Sequence, residues 1–368
     1  MEREQRIIKT SIIGIIANVL LAGFKVFVGI VSSSVAVILD AVNNLSDAMS
    51  SLLTIIGTKL GAKAPDKKHP LGYGRIEYLS TMVISVIIIY AGVTSLVESI
   101  KKIINPVVPD YSTTSLVIIT VAIAVKLFLG NYVKNVGEEL DSSALVASGL
   151  DARFDALISA STLVAAIIFL ITGYGIEAEL GVVIALFIIK SGVDIMKGTV
   201  SELLGERVKA ELSKAVKETI CEFEEVLGAY DLTIHNYGPD RLIGSVHIEV
   251  SDTLTARELD ILERKITKTV TEKHCIVMTG ISVYAVNTQD EEAIRIRTDV
   301  ENAVKSLTDI TEMHGFYLDK ERESISFDVI IDFDAEDKET VLLALKNKIK
   351  ENYPNHRLYI TQDYDISD

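Results

Sequence analysis

Six apolar runs, each roughly twenty residues long, break up the first two hundred residues, and this spacing restricts the chain more than any other feature. A bilayer core of about 30 Å needs about 20 helical residues, and inside lipid the backbone must satisfy its own hydrogen bonds. Each run therefore predicts a transmembrane helix. The runs fall at 8–31, 34–61, 78–100, 115–136, 144–172 and 179–200. Ser32, Ser33 and Ser34 make the first turn, Lys63 to Arg75 form a polar loop, and Pro106 and Pro109 mark a further turn. The first run has no small-residue cleavage site and leads straight into another, which predicts a span and not a secretory leader. Arg3, Arg6 and Lys9 precede the first run, Lys63, Lys67, Lys68 and Arg75 crowd one loop, and the stretch 173–178 has no basic residue. The positive-inside rule then places both termini in the cytoplasm of a multi-pass inner-membrane protein, with Lys101 and Lys102 as the minority on the other side.

Beyond about residue 204 the pattern changes to amphipathic helices alternating with short strands. The composition fits this division, since 49% hydrophobic and 24% charged residues combine a membrane half with a soluble half. A strand at 246–250, Asp252 and a helix at 256–271 lead to a strand at 281–286. A strand at 327–331, Asp334 and a helix at 338–351 lead to a strand at 358–361. The sequence thus predicts an all-α six-helix transmembrane domain over 1–204, followed by a cytoplasmic α+β unit over 205–290 and its tandem duplicate over 291–368. One larger sheet with an unrelated extension is the alternative. A formal charge of −15 argues against a nucleic-acid partner, since binding phosphate needs a basic face. Cys221 and Cys275 read as reduced cytosolic thiols. With no P-loop, no HExxH and no serine–histidine–acid arrangement, the chain does not read as an enzyme.

Charged groups inside a bilayer are costly, so carboxylates in mid-span point to function. Asn43 and Asp47 lie one helical turn apart in the second run, and Asp151 and Asp155 repeat the spacing in the fifth. Packed face to face, they offer four oxygen-bearing side chains to one divalent cation. Without the cation, three confined carboxylates repel and favour protons, so metal entry would displace protons. Asp40 is turned off that face, and Asn18 and Lys25 read as packing and snorkelling residues.

The run Ser33-Ser34-Val35-Ala36-Val37-Ile38-Leu39-Asp40-Ala41, the pair Asn43/Asp47, the loop His69-Pro70-Leu71-Gly72-Tyr73-Gly74-Arg75-Ile76-Glu77 and the pair Asp151/Asp155 resemble the signature of the cation diffusion facilitator family, over residues 1–286. The resemblance implies a homodimer with a six-helix transport domain, a ferredoxin-like cytoplasmic domain and proton-driven metal efflux by alternating access. It implies a transport site at Asn43, Asp47, Asp151 and Asp155, and no resident cofactor. Zinc-transporting relatives place histidine in the site; an amide and three carboxylates suit harder ions and resemble the manganese-exporting branch, so Mn2+ is the expected cargo, with Zn2+ and Fe2+ as alternatives. Asp66 and His69 match two ligand positions of a loop site, where Tyr73 replaces a histidine; a capped turn is the other reading. His247 matches a ligand position of the family's cytoplasmic site, and Asp231 and His235 are its candidate companions. His314, His356, Asp363 and Asp365 leave a further metal site or a solvated acidic tail open for the second unit. A membrane-bound metal sensor or scaffold is the rival to transport.

Overall fold

The computed structural model describes residues 2–31, 35–105, 113–172, 175–239, 241–332, 334–335 and 337–363, apart from the side chains at 29, 31, 35–43, 46, 113–115 and 177. Two compact units make up the chain: Met1–Glu206 with Tyr237–Asp240, and the remainder, Arg207–Asn236 with Arg241–Asp368. The first unit is built from α1 (Glu2–Val31), α2 (Val35–Gly61), α3 (Ile76–Ile104), α4 (Thr113–Glu139), α5 (Ser143–Thr172) and α6 (Glu177–Leu204). At 1.5 Å per residue each helix is about 40 Å long, enough to cross a bilayer.

Apolarity separates the six. Among the described residues, four stretches are both long and apolar enough to cross a membrane: Glu2–Val28, Ile76–Ile104, Leu116–Glu139 and Ser143–Thr172. By this measure the expectation of six apolar spans is corrected to four. The reason is visible on the other two helices. A stripe of Asn44, Ser50, Ser51, Thr54 and Thr58 along α2 is buried inside the protein, and α6 carries Glu179, Lys190, Asp194, Lys197 and Glu202. Polar groups turned inward on α2, and charges spaced along α6 that are mostly exposed, interrupt the long apolar windows without shortening either helix.

The helices pack chiefly in the pairs α1 with α2, α4 with α5, and α3 with α6. In the α4–α5 pair, Gly130 faces Gly149, where an added Cβ would come within 2.5 Å of the Lys134 backbone nitrogen and 2.9 Å of the Gly130 carbonyl oxygen. Small residues allow this backbone approach, as in other membrane helix pairs. At one end of the bundle Arg3 binds the carboxylate of Glu77 at 3.1 Å and donates to the carbonyls of Leu140 and Asp141. This single guanidinium joins α1, α3 and the α4–α5 turn. Lys25 is only 4% exposed, so it does not snorkel outward as the sequence predicts.

The second unit contains α7 (Ala210–Cys221), β1 (Val226–Asn236), β2 (Leu242–Ser251), α8 (Ala256–His274), β3 (Ile276–Val286), α9 (Glu291–Lys305), β4 (Ile310–Asp319), β5 (Ser324–Ile331), α10 (Lys338–Asn352) and β6 (Arg357–Asp363). These strands form two three-stranded sheets, ordered β1-β2-β3 and β4-β5-β6, and not one larger sheet. In each, the first two strands are antiparallel and the last two parallel. The registers also correspond: Tyr230 pairs with His247 and Thr233 with Ser245, while His314 pairs with Asp328 and Tyr317 with Ser326. Both strands slip register just after Tyr230 and His314, and the residues that follow, Asp231 and Gly315, have φ of 51° and 64°.

Local sequence accounts for the helices. Thr255 and Glu258 form a capping box on α8, while Asp290 and Asp337 accept hydrogen bonds from the first-turn amides of α9 and α10. Val246, Ile248, Leu262, Ile266 and Ile276 fill the first core, and Ile296, Val300, Phe327, Val329 and Leu345 the second. The two halves meet where the Tyr230 ring stacks on His314 at 5.1 Å and Arg297 of α9 pairs with buried Glu249 of β2 at 3.0 Å.

Candidate metal centre

The one-turn spacing within α2 and α5 brings their acids to a common place. Asp47 and Asp155 both contact the ammonium of Lys126 on α4, at 2.5 and 2.8 Å. Asp47 and Asp151 line one small cavity together with Gly14, Asn18, Ser51 and Ser148. Asp151 and Lys126 are 9% and 3% exposed, so this polar group is enclosed by the bundle. Asn43 belongs to α2, but its side chain, like that of Asp40, lies outside the described residues.

The sequence reading did not single out Lys126 and took Asn18 for a packing residue. Lys126 looks like one more cation in an apolar run; only the fold shows it between two carboxylates. Asn18 is 4% exposed, and its amide oxygen lacks a hydrogen-bond partner while lining the cavity. An unsatisfied buried carbonyl oxygen is costly unless it has a polar occupant to bind. The signal for both was available as polar residues on the inward face of an apolar helix, but the sequence does not say which face is inward.

In the loop between α2 and α3, Asp66 and His69 are brought together, with the His69 Nδ1 3.5 Å from the carboxylate. Asp66 also accepts from the backbone amides of Lys68 and His69 and from the Tyr73 hydroxyl at 2.6 Å. The Tyr73 hydrogen bond, followed by the His69 amide, holds the Asp66 carboxyl well below the usual carboxylate range. Its oxygens are engaged in a capped turn.

In the second unit Asp231 and His247 lie 2.7 Å apart, while His235 is exposed further along β1, paired with Ile243. The third neighbour comes from beyond residue 290. His314, fully buried, places Nε2 3.2 Å from Asp231 and 3.8 Å from Asp363, and Nδ1 3.3 Å from Glu312. Burial pushes the His314 imidazole down, but the Asp231 and Glu312 carboxylates outweigh it and lift it to about 10. Burial likewise pushes Asp231 up, and His247 and His314 more than reverse that, holding it low. Of the remaining candidates in this half, His356 packs edge-on against Tyr353 at 5.7 Å, and Asp365 lies outside the described residues.

Comparison with known proteins places the chain in a family. Residues 11–204 match the cation efflux transmembrane domain, and residues 208–279 match the cytoplasmic domain of cation efflux proteins. An uncharacterized transporter of Methanocaldococcus jannaschii is 29% identical over 69% of this chain and 90% of its own. The manganese efflux system protein MneP of Bacillus subtilis is 26% identical over 72% of this chain and 91% of its own. The magnetosome protein MamB of a Magnetospira strain is 24% identical over 62% and 76%. With the transmembrane family model covering more than half of a chain that also carries the matching cytoplasmic domain, the protein belongs to the cation diffusion facilitator family of membrane metal-cation efflux transporters and is not an enzyme.

Proposed function

We propose that this chain exports divalent manganese from the cytoplasm in exchange for protons, by alternating access, through a site made of Asn43, Asp47, Asp151 and Asp155. The observation that carries this reading is the meeting of acids from α2 and α5: Asp47 and Asp155 on one ammonium, Asp47 and Asp151 on one cavity wall. Oxygen ligands without imidazole suit manganese better than zinc, and a relative named as a manganese efflux protein supports the choice. Zinc and iron(II) are the alternative cargoes.

In this reading all six helices span the inner membrane, α2 turning its polar stripe inward, with both termini in the cytoplasm. Residues 1–204 form the transport domain, and 205–290 and 291–368 form two ferredoxin-like units related by tandem duplication; the shared strand order, register slips and positive-φ residues support that relation. The cytoplasmic family domain supports a homodimer. Asp66 serves as a turn cap, since its oxygens already hold Tyr73 and two amides.

A second reading is a metal sensor or scaffold with a closed path, favoured by Lys126 standing between two of the acids. Manganese uptake into proteoliposomes under a pH gradient separates the two. The parent should carry metal, and Asp47→Ala and Asp155→Ala should lose nearly all flux. Equal flux in all three removes the assigned site, and no flux in the parent favours the sensor.

A further inference from the structure

The cluster around His314 joins residues from β1, β2, β4 and β6, none of which has a part in the proposed transport path. His314 itself is fully buried, and both its ring nitrogens, like Oδ1 of Asp231, are enclosed without completing a hydrogen bond. The neighbouring carboxylates stand at ion-pair distance but off the directions a hydrogen bond requires. Buried polar atoms in this condition call for an occupant.

Three donor atoms, from Asp231, His314 and Asp363, lie within 4.8 Å of one another. Ligands around one transition-metal ion stand about 2 Å from it, so neighbouring donors lie roughly 3–4 Å apart. The 3.2 and 3.8 Å separations from His314 Nε2 to the two aspartates fall in that range. The other face of the ring repeats a common metal-site arrangement. Glu312 stands 3.3 Å from Nδ1, on the side where a small turn of the ring would let a carboxylate accept the Nδ1 proton and leave Nε2 to a metal. His247 contacts Asp231 at 2.7 Å and orients it in the same manner. The charge also fits: Asp231, Glu312 and Asp363 are three carboxylates about one imidazole, a local excess of negative charge that a divalent cation offsets.

We infer that Asp231, His314 and Asp363 bind a first-row divalent transition metal, held in place by Glu312 and His247, at a site separate from the proposed transport site. His314 and Asp363 lie beyond residue 279, where the match to the family's cytoplasmic domain ends, so the site depends on the additional C-terminal sheet. A metal there ties the first sheet to the second, alongside the Arg297–Glu249 pair. One imidazole with two carboxylates admits zinc and manganese alike.

The test counts Mn2+, and separately Zn2+, bound per full-length chain in detergent by equilibrium dialysis and elemental analysis. The proteins compared are the parent, Asp151→Asn, His314→Gln, Asp363→Asn and the Asp151→Asn/His314→Gln double variant. Two equivalents are expected for the parent, one for each single variant, and none for the double variant. Retention of two equivalents by His314→Gln overturns this site, whereas retention of two by Asp151→Asn overturns the transport site and leaves this one standing. Should the His314 variant fail to fold, Asp363→Asn decides: its carboxylate is partly exposed, loss of one equivalent supports the site, and no loss overturns it.

Discussion

Replacing Lys126 by glutamine should tighten metal binding at the proposed transport site by about 10- to 100-fold. Its ammonium reaches Asp47 and Asp155 at 2.5 and 2.8 Å, so a divalent ion entering between those carboxylates meets a positive charge already there. At a separation of about 4 Å and an effective dielectric constant near 20, each pair of unit charges repels by about 4 kcal/mol. The ammonium escapes most of that by swinging toward one carboxylate, but it gives up one of two buried contacts in doing so. A residual penalty of about 1.4 to 3 kcal/mol corresponds to the stated change in Kd. Glutamine is one atom shorter, removes the charge and keeps an amide N–H that can still donate to a carboxylate. Equilibrium dialysis of Mn2+ against parent and Lys126→Gln, both monodisperse on gel filtration and both carrying His314→Gln so that one site is read, provides the assay. Unchanged or weaker binding by the glutamine variant would refute the view that Lys126 competes with the metal.

The other expectations address selectivity and architecture. Asp151→His adds an imidazole to the oxygen cage and should shift transport toward zinc; an unchanged ratio of manganese to zinc flux would show that ligand type does not set the choice. Arg3→Ala strands Glu77, whose side chain is 5% exposed, and should cost about 3 kcal/mol, read as a lower melting midpoint in detergent; an unaltered midpoint would deny the clamp a structural role. Gly315→Ala puts a Cβ 3.0 Å from the Tyr284 ring at φ 64° and should cost about 1–2 kcal/mol, seen as faster hydrogen exchange in β4; protection equal to the parent would mean the joint yields freely. Tyr73→Phe removes the largest influence holding the Asp66 carboxyl low. Because that carboxyl is depressed in the folded loop, its contribution is present above the ordinary carboxylate range and lost as pH falls below it. NMR titration of Asp66 should therefore show a higher midpoint in the phenylalanine variant, and no movement would contradict the hydrogen bond.

What could be seen in advance depended on how local the cause was. Runs of apolar residues and helix caps act over neighbouring positions, so the long helices, α8 and α10 were legible from the sequence. The strands β1 and β4 were not, because their register slips and the positive φ of Asp231 and Gly315 break the alternation that marks a strand. The acids at 47, 151 and 155 announced themselves by their cost in lipid. Lys126 carries the same cost, yet a lone lysine in an apolar run reads equally well as a snorkelling side chain until its partners on two other helices are in view. The His314 cluster was hidden more deeply. Its members at 231, 312, 314 and 363 have no motif spacing, and only the packing of one sheet on another brings them together.

Lys126 also bears on why the cargo should carry two charges. At the proposed transport site Asp47 and Asp155 meet one ammonium and Asp151 shares a cavity with Asp47, leaving two negative charges when all are ionised. In a low-dielectric bundle such an excess is costly, and it is removed by one divalent ion or by two protons. A monovalent ion leaves one negative charge behind, and a trivalent ion creates one positive charge. With Lys126 in place, then, the loaded and the doubly protonated states are both neutral, and under the proposed alternating-access exchange each would pass through an occluded stage at similar electrostatic cost. With glutamine at 126 the metal-loaded site is left with one negative charge, so tighter binding should come with slower passage. Proteoliposome flux at saturating Mn2+ provides the measurement: a Lys126→Gln variant that binds more tightly and still turns over at the parent rate would separate charge balance from transport.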